Sequence, residues 1–258
     1  METATVGPVS GNVLFYTKPE PLSREEHGKL GVLRMDKPYG FASIGHVVPL
    51  TVAEFGFAGI NFPIIFAGEQ RVPLCVMGVN AGENLFIKND GSFATGGYIP
   101  AYIRRYPFVL ASDEAQNRMV VCIERNAPML GENAEVPLFD DKGEPSEYTQ
   151  SAIKFCEDFE TERRRTEAFV DLLTSLDLFE TKQASFQTTL PDGSQSAPVV
   201  LADYFGVSEE KLGKLPAEKL AELRDSGALD KIYSHMASLL GWDRLVMIAS
   251  ERAAQTAA

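Results

Sequence analysis

Proline and glycine are spread so unevenly along this chain that they limit where long regular elements can form. Nine of the fifteen prolines and fourteen of the twenty-one glycines fall in residues 1–110. Proline removes a backbone donor and glycine admits left-handed turns, so such a stretch breaks into short strands and helical turns. Further on, the apolar period changes. Phe155, Phe159, Phe169, Leu172, Leu173, Leu176 and Phe179 recur at helical spacing across residues 152–180. The expected class is α+β, with a mainly antiparallel, β-rich first half (residues 1–150) and a helical second half (residues 151–258), packed as one continuous unit. A parallel sheet would need regular helical crossovers, and the first half has none.

Local signals fill in this outline. "PLTVAEFGFAGINFP" reads as a short helix opened by Thr51 and Glu54 at capping-box spacing and stopped before Pro63. "FPIIFAG" and "VPLCVMGV" flank the polar turn Gly68–Arg71 and form a hairpin, and Asn89-Asp90-Gly91 between Phe86 and Phe93 marks a second. "RMVVCIE" is a strand, and "PLFDDKGEP" ends another at a turn. Residues 183–201 form a hairpin around Pro191-Asp192-Gly193, and short helices follow from Ser208. Leu220 and Leu223 belong to one helix, and Leu229, Ile232, Met236, Leu239 and Leu240 form the stripe of the next. Gly241 is its C-terminal cap, before a last helix through Leu245 and Ile248 that frays over "AAQTAA".

Charge narrows the partners. The first 110 residues carry nine acidic and nine basic side chains, so the net charge of -12 comes wholly from residues 111–258, with 27 acidic and 15 basic. That field repels phosphate backbones, and no nucleic acid is expected as a partner. Cys75, Cys122 and Cys156 are odd in number and scattered, which fits buried free thiols in a reducing compartment. The longest uncharged run, Pro38 to Ala53, has 16 residues with two prolines and two glycines. A membrane span needs about 20 largely apolar residues, so no transmembrane segment is expected. No basic residue precedes Lys18, and Gly7, Pro8, Ser10, Gly11 and Asn12 interrupt the apolar positions, so no Sec signal is read here. The cytoplasm is the expected compartment, with surface association through non-Sec export left open.

The common catalytic signatures are missing: no nucleotide P-loop, no GxGxxG after a strand, no GxSxG elbow and no HExxH. A two-histidine, one-carboxylate iron site would require the fold to join His27 and His46 with an acid such as Glu54. No two histidines share a helical turn and no cysteine pair has chelating spacing, so neither a metal nor a cofactor is expected. The run Arg163-Arg164-Arg165 sits among Glu160, Glu162 and Glu167, with Glu160–Arg164 and Arg163–Glu167 at i,i+4 spacing, and reads as a solvated ion-paired face. Trp242 reads as a packing residue.

The segment "GGYIPAYIRRYPFVL" stands apart, with three tyrosines, two adjacent arginines and two prolines in fifteen residues. Adjacent Arg104 and Arg105 point in different directions in a helix or a strand, so one can turn inward while the other stays solvated. An inward arginine requires a carboxylate or backbone-carbonyl partner, because an unpaired buried charge is costly. Glu54 and Glu83 are the candidate acids. Two readings follow: a structural ion pair with tyrosines packed around it, which is favoured, or a clamp for a ligand carboxylate or phosphate. The candidate ligand-binding residues are Arg104, Arg105, Tyr98, Tyr102, Tyr106, Glu54 and His46.

Several stretches together carry a resemblance. "PLTVAEFGFAGINFPIIF", "GENLFIKNDGSF", "YIPAYIRRYPFVL", "PLFDDKGEP" and "SGALDKIYSHMASLLGWDRL" occur in an order similar to the bacterial SapC family, over about residues 12–250. The block from Tyr98 to Leu110 is its most specific part. Family members often carry Trp shortly after the Asp-Gly turn, where this chain has Ser92-Phe93, a conservative departure. The resemblance implies an association with a bacterial surface layer and supplies no catalytic residues. A peptide-transporter permease shares the name, but such a protein must cross a membrane and is a different thing. The expected function is a non-catalytic accessory or interaction protein with a protein partner, linked to surface-layer or envelope functions. The alternative is a small-ligand-binding protein, or an unfamiliar enzyme, using residues 98–110.

Overall fold

The computed structural model describes residues 13–94, 96–113, 118–132, 134–187 and 196–257. The chain runs through β1 (Pro19–Pro21), α1 (Arg24–His27), β2 (Leu30–Val32), β3 (Val47–Pro49), α2 (Phe55–Ala58), β4 (Ile64–Ala67) and β5 (Val72–Val76). The short α3 (Ala101–Arg104) leads to β6 (Phe108–Asp113), β7 (Arg118–Glu124), β8 (Leu130–Glu132) and β9 (Val136–Pro137). The 29-residue α4 (Glu147–Ser175) is followed by β10 (Phe179–Phe186) and β11 (Val199–Val207). Four helices close the chain: α5 (Glu209–Gly213), α6 (Ala217–Asp225), α7 (Ala228–Ser238) and α8 (Gly241–Ala257).

The described strands form three antiparallel sheets, ordered β1-β7-β6, β8-β2-β9 and β10-β11-β4-β5-β3. The fold is therefore α+β. The β4–β5 hairpin turns where expected, with Ala67 opposite Val72 and left-handed backbone at Gly68 and Arg71. Ile64, Ile65 and Phe66 are all buried, because β4 lies inside the sheet and is covered on both faces. The Asp-Gly turn also forms, with Gly91 at φ 85°, but it carries a single bridge between Ile87 and Phe93. The Asn84 side chain takes the Phe86 N–H at 2.9 Å, so that donor is withdrawn from any longer ladder.

Three readings are corrected beyond the first half. Helix α4 stops at Ser175, Asp177 adopts φ 51°, and Phe179 begins β10. Phe179 is still buried, so a core-facing residue continued the helical period after the helix had ended. The second half carries the expected hairpin beside its helices, for β10 and β11 pair antiparallel, and they complete the largest sheet through the pair Phe205–Phe66. Gly241 opens α8 and does not cap α7, Leu240 is exposed and leaves the α7 stripe, and α8 runs to Ala257. The turn residues Pro191-Asp192-Gly193 lie outside the described residues, as do residues 1–12, on which the export reading rested.

The main core draws Phe55, Phe62 and Phe66 from the first half against Leu173, Leu178, Leu223 and Ile232 from the second. A smaller core joins Phe108, Ile123, Leu138 and Cys156. The three cysteines are buried and unpaired, and burial pushes the Cys122 and Cys156 thiols up to about 11 and Cys75 further still. Protonated thiols of this kind are poor nucleophiles. Among the described residues, no helix is long and apolar enough to cross a membrane.

Candidate functional site

The site begins with the capping box at Thr51. Glu54 is buried, and its Oε2 accepts the Thr51 N–H at 2.9 Å and the Thr51 hydroxyl at 2.8 Å. Its Oε1 reaches the other way, accepting the Ala101 N–H at 2.6 Å and the Tyr98 hydroxyl at 3.0 Å. One carboxylate thus starts the helical turn at 52–54 and also caps α3. Four donors satisfy it, and none comes from an arginine. Burial, and then the neighbouring Glu54 charge, push the Tyr98 phenol up to about 12.

The expected arginine pairing is therefore corrected. Arg104 is exposed; its Nε donates to the Ile99 carbonyl at 2.9 Å, and its Nη2 meets the Tyr98 hydroxyl at 3.3 Å. It reaches Glu54 only through that hydroxyl. Glu83 lies with Arg252, at 3.5 Å. Arg105 turns inward, as one of the pair was expected to, and is half-buried. Its guanidinium lies 3.9 Å from the Tyr102 ring centre and 4.6 Å from that of Phe159, with Tyr16 at 5.8 Å. No ion pair among the described residues involves it, and its buried Nε has no hydrogen-bond acceptor. Aromatic faces, not a carboxylate, receive this charge.

Tyr102 lies against Arg105, whereas Tyr106 packs on Phe41 and Tyr16 and does not line the same space. Tyr102 is buried and donates to the Leu14 carbonyl at 3.4 Å, and burial raises its phenol against the pull of the Arg105 charge. Tyr106 stacks on Phe41 at 3.8 Å between ring centres, and burial lifts its phenol to about 12. Its peptide bond to Pro107 is cis.

Helix α4 closes the site from the opposite side. Phe159, Arg163, Thr166, Glu167 and Val170 share one helical face, and Thr166 Oγ1 accepts the Val52 N–H at 3.0 Å while donating to the Glu162 carbonyl. Between this face and the edge formed by Pro49, Val72 and Pro73 lies a cleft of about 610 Å³, with Tyr102, Arg105 and Phe159 at one end. The arginine run behaves as the spacing indicated: Arg163 pairs with Glu160 at 2.8 Å and with Glu167, Arg164 with Glu160 at 3.3 Å, and Arg165 with Glu162 at 2.6 Å.

Not every candidate comes together. His46 lies elsewhere, its Nδ1 accepting the Gly82 N–H at 3.4 Å. His27 is buried in α1 beside Ser23 and Glu20. His27, His46 and Glu54 do not meet, and no metal-ligating group of three is assembled among the described residues. The residues that reading of the sequence missed are the cleft walls Leu50, Val72, Pro73 and Val170. Each looked like ordinary core, and no local signal distinguishes a residue facing a cleft from one facing a core.

The sequence model of one family, described as SapC, matches residues 22–245. No curated protein and no solved structure matches the chain.

Proposed function

The chain belongs to the SapC family, and from that premise we propose that it is a non-catalytic accessory protein that docks a protein partner in bacterial surface-layer or envelope functions. One observation carries the reading: Phe57, Ile60 and Leu240 are 68, 77 and 84% exposed on adjoining parts of the surface. Gly59 holds them close. A methyl added there would lie 3.1 Å from the Ser234 carbonyl and 3.3 Å from Ser238 Cβ, so the turn after α2 sits against α7. Arg244 of α8 also donates to the Ile60 carbonyl at 3.4 Å, and Phe57 stacks on Tyr98 at 6.0 Å. Large apolar side chains grouped on a surface support a docking role. The net charge of -12 disfavours a second copy of the same chain through like-charge repulsion. The partner that fits is a different protein, with an apolar contact and a basic rim. No export route enters the proposal, and the cytoplasm remains its working compartment.

The test compares the wild type with the paired variant Phe57→Ser/Leu240→Ser. Both should unfold within about 0.5 kcal/mol of each other, because the changes are at the surface. The wild type should capture one partner at one-to-one stoichiometry, reproducibly with the purified partner and less tightly at high salt, and the variant should lose it. A partner retained by the variant, or self-association of the wild type abolished by it, would overturn the assignment.

A further inference from the structure

The cleft beside Arg105 lies apart from that docking surface and has a different chemistry. A guanidinium carries five N–H donors. The Arg105 charge is half-buried against Tyr102 and Phe159, its Nε lacks an acceptor, and the ion pairs of the described residues leave it out. Ring faces offset part of the cost of withdrawing such a charge from water, and the Tyr102 hydroxyl takes up part of its hydrogen bonding, but neither supplies a counter-charge. The side chain opens on a cleft of about 610 Å³, inside the range of about 300–1,000 Å³ typical of small-molecule sites.

The remaining walls select the ligand. Leu50, Val72, Pro73 and Val170 give the cleft an apolar wall. Val170 lies eleven residues beyond Phe159, about 16 Å along the helix axis. Glu167 and Asp171 stand toward that far end, while Arg163 is already held by Glu160 and Glu167. A second negative charge on the ligand would meet those acids. We propose that the cleft binds a monocarboxylate with an apolar tail, its head paired with Arg105 and its tail lying along α4 past Val72 and Val170. A dicarboxylate, whose second head would lie at the far end, is disfavoured by the acids there.

Calorimetric titration of the full chain with decanoate tests this, with decan-1-ol and decanedioate as length-matched probes. Decanoate should bind at one site, with both controls at least tenfold weaker. Arg105→Gln should weaken decanoate at least tenfold. Val72→Asp, at an exposed position, should weaken it as well while leaving Arg105 in place, which covers the case in which Arg105→Gln does not fold. No decanoate binding, equal binding of the alcohol, or unchanged binding by a folded Arg105→Gln would each overturn the proposal. None of these outcomes bears on partner capture through Phe57 and Leu240.

Discussion

Glu54 shows how one residue can join two short segments that have little stability of their own. It closes a capping box at Thr51 and receives the first N–H of α3, forty-seven positions away. Replacing it with alanine strands the Thr51 N–H, the Thr51 hydroxyl and the Ala101 N–H in the interior. Each buried donor left without a partner costs about 1–3 kcal/mol. Glu54→Ala should therefore lose about 3 kcal/mol or more in urea unfolding. Arg104→Ala should lose under about 1 kcal/mol, since that side chain is exposed. Comparable losses for the two variants would show that Glu54 does not organise the segment.

At the scale of elements, His235 binds helix to sheet. Val207 of β11 donates to its Nε2 at 3.1 Å, and its Nδ1–H donates to the Ile64 carbonyl of β4 at 2.9 Å, which fixes the neutral tautomer. The Phe66 ring lies 5.0 Å away and Lys182 adds a nearby positive charge. Burial, ahead of the lysine, lowers the His235 pKa from 6.5 to about 4. The sign follows from proton uptake. Above pH 6.5 both folded and unfolded forms are neutral here, and the group gives no pH dependence. Between pH 6.5 and about 4 only the unfolded chain takes up the proton, so stability falls with pH at up to about 1.4 kcal/mol per unit from this site. Buried His27, lowered mainly by burial, acts in the same direction. Unfolding free energies of wild type and His235→Gln between pH 7 and 5 check this. The variant should be less stable at pH 7 and show a shallower acid slope, and parallel slopes would refute the linkage.

Across the whole molecule, the largest sheet is assembled from both halves of the chain. β10 and β11 pair with each other and dock on β4, and Leu173, Leu178 and Ile232 complete the core around Phe66. A piece ending at residue 150 would leave one side of β4 unpaired and that core open. The full chain should therefore unfold in one transition, coincident by circular dichroism and by Trp242 fluorescence, and residues 1–150 alone should show no cooperative transition. Two separated transitions, or a cooperative fragment, would divide the chain into independent units.

The sequence by itself determined the features that depend on neighbours along the chain. The capping box at Thr51 and Glu54, the turns at Gly68–Arg71 and Gly91, the α4 period and the ion pairs of Arg163–Arg165 all follow from backbone preferences and spacings of a few residues. Reading failed where a residue's environment is built from distant segments. The end of α4 was hidden because Phe179 faces the same core from a strand. The Arg105 cleft was half legible: an inward arginine could be read from the Tyr98–Leu110 composition, but its partners could not. Glu54 was a reasonable acid for it until tertiary packing turned that carboxylate toward Thr51, Tyr98 and Ala101. Packing of α4 then set Phe159 against the guanidinium and opened the cleft. Which of two adjacent arginines is buried, and against what, depends on contacts across more than fifty residues, and only the folded chain decides them.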